Sequence, residues 1–179
     1  RPDAGEILID GKAMRFAHPA AARATGVVVI HQELALLPHR TVAENISLGH
    51  EPARWGVIDR RAMRADAMAA LGRVRSTIDP DTLCARLSVA EQQMVEIAKA
   101  ASLDARILVL DEPTAALDEL ESQNLFDLIA ELRQAGVAML YISHRMAEVK
   151  RLADRISVIK DGQLMATLPA AEATVDKVV

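Results

Sequence analysis

The strongest constraint on the fold is a set of three short aliphatic runs separated by segments with helical patterning. The runs occupy residues 27–30 (Val-Val-Val-Ile), 107–110 (Ile-Leu-Val-Leu) and 137–142 (Val-Ala-Met-Leu-Tyr-Ile). A strand that is apolar at every position is typical of a sheet buried on both faces, as in parallel sheets covered by helices. We therefore predict an α/β fold with a parallel or mixed sheet.

The remaining segments predict helices and hairpins around these strands. The Asp-Gly pairs at 10–11 and 161–162 predict two hairpins, one near each end of the sequence. Thr41, Asp59, Ser88 and Asp118 stand where helix N-caps are expected. Helices are predicted at 18–23, 42–48, 60–74, 88–101, between Asp118 and Gly136, and at 145–152.

Length and composition limit the classes of protein that fit. At 179 residues the chain is long enough for about one domain with an insertion. Residues 50–86 show no strong strand signal, so we predict a mostly helical subdomain at 42–104 within a core formed by 1–41 and 105–179. A net charge of −4 argues against nucleic acid as a partner. The apolar runs are too short to span a bilayer.

Two of the predicted strands end in polar residues suited to phosphate chemistry. Asp111 and Glu112 follow the strand at 107–110, and His144 follows the strand at 137–142. In parallel sheets, ligands bind beyond the carboxyl ends of the strands. The first carboxylate can associate with Mg²⁺ and the second can polarise an attacking water, whereas a histidine can donate to a phosphate oxygen. Taken singly, each residue also fits a structural role, as a solvated acidic turn or a structural histidine.

The third strand end and one helix start add further candidates. Gln32 follows the strand at 27–30, and its amide oxygen could orient water or ligate Mg²⁺, although a lone loop glutamine is normally just solvated. Ser88 and Glu91 form an S-x-x-E capping box at a helix start. The same helix start presents N–H groups and a hydroxyl to a phosphate, so Ser88 can serve as a cap when empty and as a ligand when occupied.

The ordered set of motifs resembles the ATP-binding cassette of ABC transporters over nearly the whole chain. The set consists of Gln32, the segment 87–91 (Leu-Ser-Val-Ala-Glu), the segment 107–118 from Ile-Leu-Val-Leu-Asp-Glu-Pro-Thr to Asp118, and His144. The amino-acid sequence at 30–34, 92–100 and 141–145 is similar to that of sugar importers of the ribose and xylose type. Within those, it is more similar to the first of two tandem cassettes.

The resemblance implies a P-loop NTPase-like fold and an ATPase that uses ATP and Mg²⁺. It implies Glu112 as the catalytic base, Asp111 as the Mg²⁺-associated carboxylate and His144 as the switch histidine. Gln32 would be the Q-loop glutamine, which senses Mg²⁺ and water. The signature segment Ser88, Val89, Ala90 and Glu91 would contact ATP held by an opposite cassette, and Asp118 would lie at the contact between cassettes.

The resemblance also implies partners and a location. A second cassette, in tandem or as a dimer, would complete the composite nucleotide sites. Membrane-spanning permease subunits would bind the cassette at the cytoplasmic face of the inner or plasma membrane, with the cassette as a peripheral subunit. Transport of sugars would then be coupled to ATP binding and hydrolysis.

The sequence departs from the family pattern in two places. It contains no phosphate loop of the form G-x-x-x-x-G-K-[ST]; we therefore expect a chain truncated before Arg1, inactive by itself toward ATP. The usual Leu-Ser-Gly-Gly-Gln signature reads Leu-Ser-Val-Ala-Glu here. Glycine is not required if Val89 and Ala90 open a helix, and the charge of Glu91 opposes a triphosphate unless Glu91 folds back into the capping box.

Two other functions are compatible with parts of the sequence. A catalytically degenerate cassette would survive as a dimerisation or docking module, which the altered signature favours and the retained Asp111, Glu112 and His144 disfavour. The other hypothesis is a soluble, non-transport ABC-type ATPase acting on ribosomes or DNA, and the net charge of −4 argues against it.

Overall fold

The order of helices and strands follows the predicted order closely in a computed structural model, which describes residues 3–31, 34–103 and 105–173. The strands are β1 (Ile7–Ile9), β2 (Lys12–Met14), β3 (Val27–Ile30), β4 (Ala53–Arg54), β5 (Val57–Ile58), β6 (Ile107–Asp111), β7 (Ala138–Ile142), β8 (Arg155–Lys160) and β9 (Gln163–Pro169). The α-helices are α1 (Pro19–Ala24), α2 (Val42–Ile46), α3 (Arg60–Arg73), α4 (Val89–Ser102), α5 (Glu119–Gln134) and α6 (Met146–Leu152). Within these described residues, no helix is both long enough and apolar enough to cross a membrane.

A parallel sheet in the order β3-β6-β7 forms the centre of the fold. Ile30 pairs with Leu110, Leu110 pairs with Tyr141, and Asp111 pairs with Ile142. The three strands therefore end side by side, and the residues that follow them leave from one edge of the sheet. This confirms the α/β fold with a parallel sheet.

Reciprocal side-chain caps fix the starts of three helices. Thr41, Ser88 and Asp118 each accept a hydrogen bond from the backbone N–H three residues later, and the glutamate at that later position accepts from the cap's own N–H. Each cap satisfies helix N–H groups that would otherwise lack partners and is worth about 1 kcal/mol. The glutamates concerned are Glu44, Glu91 and Glu121.

The core is aliphatic and joins the sheet to the helices at 42–102. Side chains from β3 and β6 pack in one cluster with side chains from α2, α3, α4 and α5. Burial of these side chains removes apolar surface from water, which is the main force that holds the helices on the sheet. The fully or almost fully buried members of this cluster include Ile30, Val42, Ile46, Leu71, Val95, Ile97, Leu110 and Leu125.

The prediction that the central strands are buried on both faces is wrong. Val28 and Ile30 are buried, but Val29 on the opposite face is 41% exposed, and Leu140 and Ile142 are 56% and 43% exposed. Alternate residues of a strand point to opposite faces, and the described residues cover only one face of the sheet at these positions. An apolar run predicts which strands belong to the sheet and leaves open what covers each face.

The segment 50–86, in which the sequence shows no strong strand signal, contains one short hairpin. β4 and β5 form a two-residue antiparallel hairpin, with Ala53 opposite Ile58. Its turn, Trp55 and Gly56, has positive φ at both positions, as in the tight turns that join short hairpin strands. Strands of two residues are too short for alternation to be visible in a sequence.

Candidate functional site

Glu112 and His144 meet at the carboxyl edge of the sheet. Glu112 directly follows β6, and His144 lies two residues beyond the end of β7. The Glu112 Oε1 atom lies 2.8 Å from His144 Nδ1 and accepts a further hydrogen bond from the His144 backbone N–H at 3.2 Å. The Glu112 side chain is 17% exposed and the His144 side chain 77% exposed. A sheltered carboxylate thus supports an imidazole that is open to solvent.

The backbone at Glu112 adopts a conformation that non-glycine residues rarely take. Its φ is +48°, in the left-handed region. Such a residue costs of order 1 kcal/mol and is held only where the surrounding structure fixes it, often at functional sites. Here the Glu112 N–H donates to the Ile142 carbonyl at 3.0 Å, and its carbonyl accepts from the Ala115 N–H at 3.2 Å. The turn therefore aims the carboxylate toward the segment that carries His144.

A second carboxylate, Glu148 of α6, lies behind this pair and was not predicted from the sequence. Its Oε2 accepts from the Tyr141 hydroxyl at 2.8 Å and from the Thr114 hydroxyl at 2.9 Å. Burial raises the pKa of Glu148, but the hydrogen bonds from Tyr141, Arg145 and Thr114 outweigh it, so the pKa lies below its usual value. Burial, together with the bond to Glu148, raises the pKa of Tyr141 far above its ordinary range. An acidic residue four positions after His144 was the available sequence signal.

Asp111 is the last residue of β6 and directly precedes Glu112. It is half-buried, and its carboxylate supplies the oxygen chemistry that Mg²⁺ prefers. Among residues 3–31, 34–103 and 105–173, no group of three or more histidine, cysteine or acidic side chains is arranged to hold a metal ion. Gln32, the other predicted Mg²⁺ ligand, lies outside the described residues. In the described part of the site, Asp111 is therefore one carboxylate ligand for a cation, and other ligands would complete the coordination of that cation.

The signature segment begins α4 in the way that the sequence predicted. Ser88 is the N-cap, and Val89 and Ala90 are the first two helical residues. Glu91 folds back, because its Oε2 accepts from the Ser88 N–H at 2.8 Å and from the Ser88 hydroxyl at 2.9 Å. The same bonds lower the pKa of Glu91. The negative charge of Glu91 is thus held against the helix start rather than directed outward.

Asp118 has a similar capping role at the start of α5. Its Oδ1 accepts from the Glu121 N–H at 2.7 Å, and Glu121 Oε2 accepts from the Asp118 N–H at 3.0 Å. Among the hydrogen bonds of the described residues, neither Asp118 nor Ser88 is bonded to Glu112 or His144. Of the predicted site residues, the structure joins Glu112 with His144 and leaves Ser88 and Asp118 at separate helix starts.

The loop that follows β3 is anchored by Asn45, a second residue that sequence reasoning missed. Asn45 is completely buried. Its Oδ1 accepts from the Leu37 N–H at 2.7 Å, and its Nδ2 donates to the carbonyls of Leu37 and Thr41, both at 3.0 Å. Nearby, Glu96 of α4 accepts from the Ala35 N–H at 3.2 Å. These bonds fasten residues 35–41 to the helices.

Comparison with known proteins gives consistent similarities. Residues 1–115 match a family model described as ABC transporter. The chain is 51% identical to Ribose import ATP-binding protein RbsA 3 of Rubrobacter xylanophilus, over 96% of this chain and 35% of that protein. It is 49% identical to a putative ribose/galactose/methyl galactoside import ATP-binding protein of Burkholderia lata, over 99% of this chain and 35% of that protein. The chain thus spans about a third of the length of these relatives.

Solved structures share the fold. A dimeric ATP-binding cassette in a post-hydrolysis state, bound to ADP and phosphate, superposes with a TM-score of 0.82 at 23% sequence identity. That match covers 95% of this chain and 75% of the other. A nucleotide-free ATP-binding cassette from an ABC transporter gives a TM-score of 0.78 at 24% identity, covering 93% of this chain and 70% of the other. At these identities the likeness concerns the fold.

Proposed function

Because the chain belongs to the ABC transporter family, we propose that it forms the hydrolytic part of one cassette in an ATP-binding subunit of a sugar importer. The observation that carries the proposal is the contact between Glu112 and His144 at the carboxyl edge of a parallel sheet, at 2.8 Å. A carboxylate and an imidazole at this edge suit the hydrolysis of a nucleotide's terminal phosphate.

Glu112 acts as the general base in this proposal. Water attacks the γ-phosphorus of ATP, the bond from that phosphorus to the bridging oxygen of ADP breaks, and the proton lost by the water passes to the Glu112 carboxylate. The carboxylate is well placed for this, because it is sheltered from solvent and its backbone is fixed by the Ile142 carbonyl. Products are ADP and inorganic phosphate.

His144 stabilises the charge that builds up on the transferred phosphoryl group. Its Nδ1 lies against Glu112, which fixes the direction of the ring, and its side chain is largely open to solvent. In the imidazolium form both ring nitrogens carry a hydrogen, so Nδ1 donates to Glu112 while Nε2 donates to a γ-phosphate oxygen. Removal of one such donor typically lowers turnover by about a hundredfold to a thousandfold.

Asp111, together with the amide oxygen of Gln32, would hold Mg²⁺ at this edge. When bound, the ion would help to neutralise the charge that develops on the phosphate oxygens. Asp111 is fixed for this role by its place as the last residue of β6, paired with Ile142.

A second cassette and membrane-spanning permease subunits are the proposed partners. The signature segment, Ser88 to Glu91, would face ATP held by the opposite cassette, and Asp118 would lie at the contact between the two. The helical subdomain at 42–104 would be inserted into the nucleotide-binding core formed by 1–41 and 105–179. The cassette would work as a peripheral protein at the cytoplasmic face of the membrane. Support comes from the dimeric cassette of similar fold and from the names of the sugar-import relatives.

ATP turnover by a Glu112→Gln variant of the intact subunit tests the proposal. The variant keeps the shape of the side chain and loses the base, so we expect ATP affinity within about threefold of wild type and turnover reduced by about a hundredfold or more. Glu119→Gln, an exposed acid in the first turn of α5, is the matched control and should leave both unchanged. Wild-type turnover by Glu112→Gln would contradict the proposal.

The sugar assignment needs its own measurement. ATP-dependent uptake of ribose into cells or vesicles that carry the complete importer should be lost with Glu112→Gln and kept with Glu119→Gln. If Glu112→Gln abolishes ATP turnover but the complete importer takes up no ribose, xylose or galactose, ATP hydrolysis is supported and the assignment to sugar transport is contradicted.

One observation favours a second function, that of a docking module without hydrolysis. The Ser88 hydroxyl is bonded to the Glu91 carboxylate at 2.9 Å and so is engaged within its own helix start. Equilibrium binding of ATP to the intact subunit separates the two functions, because a docking module would show none.

A further inference from the structure

We propose that Glu148 is a positioning residue that holds the Glu112 turn and the His144 segment in fixed relation. The inference rests on the hydrolysis proposed above and extends it to a residue that lies behind the reacting groups. Glu148 lies in α6, the helix that follows His144, and its side chain is only 11% exposed.

On one side, Glu148 holds the turn that carries the base. Thr114 lies two residues after Glu112 and is completely buried. Its hydroxyl lies 2.9 Å from Glu148 Oε2 and 3.1 Å from Oε1. A shift of the Glu148 carboxylate therefore shifts Thr114, and with it the short turn on which Glu112 sits.

On the other side, the same carboxylate holds the segment that carries His144. The Tyr141 hydroxyl of β7 donates to Glu148 Oε2 at 2.8 Å, and Arg145 Nη1 donates to Oε1 at 3.0 Å. The Ser143 hydroxyl lies 3.4 Å from Oε2, and its oxygen also accepts from the Arg145 N–H at 3.0 Å. The residues immediately before and after His144 are thus tied to one carboxylate.

The arrangement matters because the proposed hydrolysis depends on the exact placement of Glu112 and His144. Glu112 has a positive φ of +48°, which persists only where neighbouring contacts fix the turn. A misplacement of about 1 Å can reduce a reaction by about a hundredfold. In the described residues Glu148 has no hydrogen bond to Glu112 or His144 themselves, so its effect passes through Thr114, Ser143 and Arg145.

Substitutions in the intact subunit can separate positioning from folding. Glu148→Gln keeps the size of the side chain but replaces one acceptor oxygen with a donor. Thr114→Val removes the hydroxyl at constant shape, and Thr114→Ser keeps it. Asp154→Asn is the matched control, because Asp154 pairs with Arg133 at the surface and lacks this connection. The kcat and KM for ATP are measured beside thermal unfolding.

We expect Glu148→Gln to lower kcat by about tenfold or more, with KM for ATP within about twofold, because binding groups stay in place while the reacting groups lose alignment. Thr114→Val should lower kcat in the same way, whereas Thr114→Ser, which keeps the hydroxyl, should have a kcat within about twofold of wild type. Asp154→Asn should match wild type. If Glu148→Gln does not fold, the contrast between Thr114→Val and Thr114→Ser decides.

The inference is overturned if folded Glu148→Gln keeps wild-type kcat, or if Thr114→Val and Thr114→Ser have equal kcat. A purely structural role would lower the unfolding temperature and leave kcat unchanged in the folded protein. Glu112→Gln is measured in parallel. Loss of turnover in Glu112→Gln with none in Glu148→Gln refutes the positioning role alone, whereas full turnover in Glu112→Gln refutes the proposed hydrolysis.

Discussion

Glu112 and His144 are separated by 32 residues in the sequence and by 2.8 Å between Oε1 and Nδ1 in the structure. The parallel pairing of β6 with β7 brings them together, because Asp111 lies opposite Ile142 and each strand continues into one of the two residues. The contact places a proton acceptor beside a proton donor at the edge of the sheet where ligands of such folds bind.

The exposure of His144 predicts how its loss will divide between activity and stability. His144→Ala removes a phosphate donor, so we expect turnover of the intact subunit to fall by about a hundredfold. The side chain is 77% exposed, so the free energy of unfolding should change by less than about 0.5 kcal/mol. Phosphate release and thermal unfolding measure the two effects. His50→Ala, another exposed histidine, is the control, and equal turnover in both variants would count against the role of His144.

The capping box of α4 predicts a pH-dependent effect of Glu91. Hydrogen bonds from the Ser88 N–H and hydroxyl lower the pKa of Glu91 in the folded protein. Its charged form therefore stabilises the fold above its unfolded pKa, about 4.3, and this contribution is lost as pH falls through the folded pKa. Glu91→Gln should lower the free energy of unfolding by about 0.5 kcal/mol at pH 7.

Urea unfolding of wild type and Glu91→Gln at pH 7 and at a series of pH values below the unfolded pKa, about 4.3, checks this prediction, because the contribution of the charged carboxylate decreases as the pH falls. The difference between the two proteins should shrink on acidification. A difference that stays constant or grows would show that the carboxylate is not held by Ser88 in the folded protein.

Asn45 predicts a large loss of stability from a single polar side chain. Its amide satisfies the Leu37 N–H and carbonyl and the Thr41 carbonyl from a completely buried position. Asn45→Ala leaves the Leu37 N–H without its partner, whereas the Leu37 and Thr41 carbonyls keep the backbone N–H groups of Arg40 and of residue 45. We therefore expect the free energy of unfolding to fall by about 1 to 3 kcal/mol. Asn124→Ala is the control, since Asn124 is half-buried and its side chain has one hydrogen bond within the described part of the chain, from Arg75 at 3.5 Å. Denaturant unfolding with equal losses in both variants would contradict the anchoring role.

Features that depend on neighbouring residues in the sequence were predicted well. The caps at Ser88 and Asp118 and the strand at 107–110 were predictable because each depends on a few adjacent side chains. The exposure of Leu140 was not predictable, since an apolar strand does not reveal what covers each of its faces.

The candidate site was predictable in part for the same reason. Asp111 ends a strand and Glu112 and His144 come just after strands, so the parallel order alone brings them to one edge. Glu148 was missed because its partners come from separate segments, and nothing in the local pattern shows that those segments meet. Asn45 was missed because the sequence does not show that the loop before α2 folds back onto its side chain. The positive φ of Glu112 likewise results from the packing of β6 beside β7.

A double-mutant cycle of Glu112→Gln and His144→Ala, read as phosphate release by the intact subunit, tests most directly whether the two residues serve one phosphate. Groups that act as a unit have losses that do not add, because removing either one already disables the step. We predict that the double variant turns over within about threefold of Glu112→Gln alone. Losses that multiply, so that the double variant is slower by about the product of the two single effects, would show that Glu112 and His144 act independently and would contradict a single shared site.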